Sequence, residues 1–91
     1  MPLSRLAAAH LAQQDWDVAR DYYERALSLV PANAPVTLRT ELHTGLGKAY
    51  SGLQRWPDAV QQFQRALSFA PQSVDATAGL NEALRRSPSA R

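Results

Sequence analysis

Cysteine is absent from this 91-residue chain, so disulfides and thiolate metal sites are excluded. Lysine occurs once, and the net charge is only +2. The pI near 9.5 comes from arginines scattered at 5, 20, 25, 39, 55, 65, 85, 86 and 91, with no run longer than two. A nucleic-acid face clusters its positive charge, so this dispersion argues against one. No apolar run approaches the roughly 20 residues that a bilayer requires. The opening MPLSRLAAAHLAQQDW has no hydrophobic segment followed by a cleavage site and reads as mature structure. Together these absences suit a cytoplasmic protein with no membrane partner.

Signatures of catalysis are missing too. None of the seven serines stands in a strand–turn–helix elbow. There is no P-loop, no dinucleotide glycine pattern and no pair of clustered carboxylates. His10 and His43 lie on different helical segments without a ligand residue at metal spacing, which favours packing roles over metal binding or proton transfer. The expectation is a protein that is not an enzyme and that carries neither cofactor nor metal.

What the chain does have is 45% hydrophobic residues and 20% charged ones, a globular balance sufficient for one modest core. The apolar residues recur at helical spacing. Leu3, Leu6, Ala7, His10 and Leu11 make one stripe, and Ala19, Tyr22, Tyr23, Ala26, Leu27 and Val30 make a second. Leu38, Leu42, Leu46, Ala49 and Tyr50 form a third, on a helix starting near Pro35 and ending by Gly52. Ala59, Phe63, Ala66, Leu67 and Ala70 form a fourth, and Val74, Thr77, Leu80, Ala83 and Leu84 a fifth that ends near Ser87. Pro31 and Pro71 each stop a helix at the preceding residue. No segment alternates with the period of two that a strand would show. The fold class is therefore all-α, with about five helices.

The chain also repeats itself. RALSLVP closes at Pro31 and RALSFAP at Pro71. A forty-residue shift brings Trp16, Ala19, Arg25, Ala26, Leu27, Ser28 and Pro31 onto Trp56, Ala59, Arg65, Ala66, Leu67, Ser68 and Pro71. A fixed period of this kind marks stacked units, each unable to bury its apolar face alone.

His43, Leu46, Gly47, Tyr50, Ala59, Phe63, Ala66 and Pro71 reproduce the Trp, Leu-Gly, Tyr, Ala, Phe and Pro offsets of a helix–turn–helix module, with His43 in the leading tryptophan slot. The chain thus resembles the tetratricopeptide repeat family. The first unit fits through Leu6, Ala7, Ala19, Tyr23, Ala26 and Pro31. The fifth helix fits through Leu80 and Leu84, with Asn81 in a small-residue slot. The resemblance implies a helical-hairpin solenoid wound as a right-handed superhelix, with two repeats and a capping helix. Residues 1–86 would form one domain: repeat one about 1–34, repeat two about 35–71 and the capping helix about 73–86. Residues 87–91 would be a disordered tail. Asp75, Glu82, Arg85 and Arg86 would give the cap a polar outer face. The units stand six residues further apart than the family's 34. The surplus after Pro31 is expected to lengthen the third helix, the alternative being a surface loop around Asn33.

The resemblance also implies a concave groove lined by the first helix of each pair, open to a peptide or helix of a protein partner. Helical spacing places Glu41, Thr44, Lys48 and Ser51 on that face of the third helix. Ser4, Ala8 and Leu11 occupy the equivalent face of the first, and Asp75, Ala78, Glu82 and Arg85 that of the fifth. The same stripe also reads as a plain solvated face. The family's clamp for acidic chaperone tails is missing, since Ser4, Ala8, Gly45, Asp75 and Gly79 stand where its Lys, Asn and Arg would be. Trp16 and Trp56 read as packing of the turn before each second helix, with ligand stacking as the alternative. Self-association through Ala7, Ala8 and Ala9, or a place within a longer repeat array, are the competing readings of function, and a nucleic-acid-binding helical repeat, resting on the arginine content alone, is a less favoured third. The bias to arginine and alanine points to a GC-rich bacterial genome.

Overall fold

The computed structural model describes residues 2–87. Five helices fill them: α1 (Pro2–Ala12), α2 (Trp16–Leu29), α3 (Val36–Gly52), α4 (Trp56–Phe69) and α5 (Val74–Arg86). No strand occurs among the described residues. Each helix packs on the next, and α1, α3 and α5 also touch in succession. The result is two antiparallel hairpins, α1–α2 and α3–α4, followed by a fifth helix.

Local chemistry sets the breaks. Val30 and Ala70, each before a proline, leave the helical region at ψ 123° and 82°. Pro57 is tolerated in the first turn of α4, where its missing amide would have had no partner. The hairpin turns use a different device, and both use the same one. Gln14 and Gln54 are left-handed, at φ 64° and 61°. The following amides, of Asp15 and Arg55, reach back to the His10 and Tyr50 carbonyls at 2.9 Å. This arrangement closes the ends of α1 and α3. Asp17, Asp58 and Asp75 lie in first turns, as the dipole favours. Arg25 and Arg65 fall short of the last turns of their helices, whereas α5 ends on Arg85 and Arg86.

The six surplus residues divide between helix and connection. Leu80 corresponds to Leu46 at the family's spacing of 34, so the start of α5 at Val74 corresponds to Thr40. α3 begins four residues earlier, and the link before it is two residues longer than the link before α5. α3 therefore has 17 residues against 11 in α1. The Arg39 guanidinium donates to the Pro31 carbonyl (2.7 Å), which ties the link to the added helical turn.

The core is built largely of alanines at the helix crossings, including Ala7, Ala19, Ala26, Ala59 and Ala83, with Leu42, Leu46, Tyr23, Tyr50 and Phe63 between them. Phe63, 1% exposed, lies between two glycines. A Cβ at Gly47 would come within 2.8 Å of its ring, and one at Gly79 within 2.4 Å. That ring therefore fixes how closely α3 and α5 approach α4. Tyr50 ties α3 to α2 by donating to Glu24 (2.7 Å). Burial first, and then this hydrogen bond and the Glu24 charge, push its pKa up to about 12.

Several sequence expectations need correction. Leu6 is 45% exposed and Ala7 is fully buried, so Ala7 belongs to the core and not to an outer face of α1. On α5, Val74 (81% exposed) and Leu84 point away from the core, and the buried face is Ala76 and Ala83. Ser87, placed in the tail by sequence, is buried, and its amide donates to the Ala83 carbonyl (2.9 Å). The remainder of that tail lies outside the described residues.

Candidate functional site

The first three-quarters of α3 projects a stripe along one face, Thr37, Thr40, Glu41, Thr44 and Lys48, at spacings of three and four. This stripe forms the floor and one wall of an open groove of about 510 Å³. Ala8 and Leu11 of α1 close one side. Ala70, Ser73 and Asp75, at the α4–α5 junction, close the other. Val36, in the added turn of α3, lengthens the floor.

Gly45 determines what stands at its centre. A Cβ there would be 2.2 Å from Tyr23, so the missing side chain lets the Tyr23 ring lie directly over the α3 backbone. The ring is buried but borders the groove. Burial, and then the charge of Glu41, hold the phenol above its ordinary pKa, so it stays a neutral donor. Ser73 Oγ accepts from the Ala76 amide (3.2 Å) and starts α5 at the groove's edge. Lys48 Nζ reaches Asp75 Oδ2 at 3.7 Å, joining α3 to α5 across one end.

Neither histidine lines this groove. His10 Nδ1 lies 3.3 Å from Asp15, and its ring stacks on Tyr22 at 5.6 Å. His43 Nδ1 is 2.8 Å from Gln62 Oε1, and its ring stacks on Phe69 at 5.9 Å. No cluster of three metal-ligating side chains occurs among the described residues. The groove offers shape, apolar surface and a few polar atoms.

The family model described as Tetratricopeptide repeat matches residues 1–72. The chain belongs to the tetratricopeptide repeat family. No match is found among curated proteins. Tetratricopeptide repeats are generally protein–protein interaction modules that bind protein partners, typically scaffolds and not enzymes. No helix among the described residues is long and apolar enough to cross a membrane.

Within the repeat frame, the contacts recur. Gly79 meets Phe63 as Gly45 meets Tyr23, one unit later. The Trp16 indole lies over Gly52, and at the corresponding place Arg86 lies over Trp56, 5.6 Å from its ring centre. Both tryptophans thus pack the end of the next repeat's first helix.

Of the groove residues expected from sequence, Ala8, Leu11, Glu41, Thr44, Lys48 and Asp75 come together, while Ser4, Ser51, Ala78, Glu82 and Arg85 do not line this space. The groove crosses the helices obliquely. It uses the later part of α1, the first three-quarters of α3 and only the first turn of α5. Ala78 instead borders a shallow depression with Val74 and Asn81. Glu82 pairs with Arg86 and Arg85, and the Arg86 hydrogen bond above all holds its carboxyl below the usual range. Tyr23, Gly45, Val36, Thr37, Thr40, Ala70 and Ser73 are lining residues that the sequence stripe did not include. The surplus after Pro31 was the available signal for Val36 and Thr37.

Proposed function

We propose that this tetratricopeptide unit is a non-catalytic interaction module whose groove across α1, α3 and α5 holds a peptide or helix of another protein. Residues 1–86 act as one unit in this reading, with α5 completing the site beyond the residues that the family model covers. The observation that carries it is the groove itself. A continuous concave surface of about 510 Å³ runs over three helices, with the Tyr23 ring in its floor and apolar Ala8, Leu11 and Val36 around it. A preformed receptor on packed helices loses little conformational freedom when it binds, so modest contacts suffice. The test is a random peptide library panned on the protein and on two variants. Ala8→Trp fills the groove from an exposed position, and Gln64→Trp alters an exposed position on α4 outside it. Peptides that bind wild type and Gln64→Trp but not Ala8→Trp support the reading. Peptides lost only with Gln64→Trp contradict it.

A further inference from the structure

The eight carboxylates of the chain are not treated alike. Asp15 meets His10, Asp17 and Asp21 meet Arg20, and Asp58 meets Arg55. Asp75 meets Lys48, Glu82 meets Arg85 and Arg86, and Glu24 accepts from the Tyr50 hydroxyl. Of these eight side-chain carboxylates, all among the described residues, Glu41 alone has neither an ion pair nor a hydrogen bond. It stands in the groove, one helical turn before Gly45 and close enough to Tyr23 to act on its phenol. The Tyr23 hydroxyl likewise makes no hydrogen bond among the described residues.

The groove's charges are therefore uneven. Lys48, its cation, is answered by Asp75 at one end. Glu41 lies seven residues earlier on α3, about 10 Å along the helix axis. Its negative charge is uncompensated, and it shares the groove with the apolar Ala8, Leu11 and Val36. An occupant that covers this surface removes water from the carboxylate. An apolar or acidic group there leaves the charge desolvated and unpaired, whereas a cation restores what water supplied.

We propose that the groove selects a segment of a partner protein that presents one arginine or lysine to Glu41, between small or aliphatic side chains packed beside Ala8, Leu11 and Val36. This rests on the reading of the groove as the binding site. The Tyr23 hydroxyl then stands free to donate to a carbonyl of the same segment. Basic side chains are favoured at one position of the ligand, and acidic ones are rejected there.

The test pans a random dodecapeptide library in parallel on the full chain and on Glu41→Lys, Glu41→Gln and Ala8→Trp variants, all altered at exposed positions. Wild type is expected to enrich one basic residue among apolar ones, and Glu41→Lys an acidic residue at the same place. Glu41→Gln should weaken the wild-type peptides about three- to tenfold, with most of that difference lost in high salt. Pools lost on Ala8→Trp but identical on wild type and Glu41→Lys would overturn the charge selection and leave the groove reading standing. Pools unaffected by Ala8→Trp, or no enrichment on wild type, would overturn both. A wild-type dimer in solution that Glu41→Lys dissociates would identify the occupant as a second copy and overturn the proposed partner.

Discussion

A Cβ placed on Gly79 of α5 would stand 2.4 Å from the Phe63 ring of α4. Phe63 has little room to retreat, because Gly47 of α3 also crowds the ring, at 2.8 Å from a Cβ placed there, and the ring is almost fully buried. Gly79→Ala would gain about 1 kcal/mol of helix propensity. Overpacking costs typically 1–3 kcal/mol, and more where the neighbour cannot move. The clash should win. Chemical denaturation is expected to show Gly79→Ala less stable by about 1–2 kcal/mol, with much of the loss recovered in the Gly79→Ala, Phe63→Leu double variant. A more stable Gly79→Ala would mean that α5 packs loosely.

The two left-handed glutamines predict the opposite sign. Gln14 and Gln54 hold φ values of 64° and 61°, which cost a residue with a Cβ. Glycine adopts that conformation freely, so Gln14→Gly and Gln54→Gly should each stabilise by about 0.5–1 kcal/mol. The turns lie in different hairpins, and the two gains should add. Gln64→Gly, inside α4, should instead lose about 1 kcal/mol. Thermal melts of the three variants distinguish strain at the turns from a general effect of glycine.

Tyr50 makes stability depend on alkaline pH. Its folded pKa of about 12 exceeds the ordinary value of 10, so the folded state holds the phenolic proton more tightly. That contribution is complete below pH 10 and disappears as pH rises from 10 to 12. Tyr50→Phe removes the bond to Glu24 and should cost about 1–2 kcal/mol at pH 7. Its stability should then fall less steeply between pH 10 and 12 than that of wild type. Some slope should remain, since Tyr23 is also shifted upwards. Denaturation midpoints from pH 7 to 12 give both numbers.

The cap of α5 offers a fourth check. Ser73 Oγ accepts the Ala76 amide hydrogen at the helix start, where no backbone carbonyl is available. Ser73→Ala should destabilise by about 1 kcal/mol, and Ser73→Asn by less. Amide exchange should show the loss as faster opening of the first turn of α5.

How far the sequence carried the reading depends on which geometric question is asked. Pro31 and Pro71, with the offsets from His43 to Pro71, placed the hairpins because those residues act within one helix or one turn. The surplus after Pro31 announced a longer α3 because Leu38, Leu42 and Leu46 kept helical spacing. Periodicity gives the direction of a side chain around its own axis and says nothing of how far one helix slides along the next. That is why Ser51, Glu82 and Arg85 were placed in the groove alongside Lys48 when the true groove runs obliquely past them. Leu6, Val74 and Leu84 were assigned to the core for a related reason. Their spacing is helical, but among the described residues α1 and α5 pack on the other helices through Ala7 and through Ala76 and Ala83, and a stripe of five apolar positions is wider than that contact.

The central claim is that the oblique groove is where a protein segment binds, and amide chemical-shift mapping with a library-selected peptide tests it most directly. The account predicts that the largest shifts fall on Ala8, Tyr23, Thr44, Gly45, Lys48 and Asp75, with Gln61, Gln64 and Arg65 on α4 unmoved. Shifts concentrated on α4, with Thr44 and Gly45 silent, would contradict it.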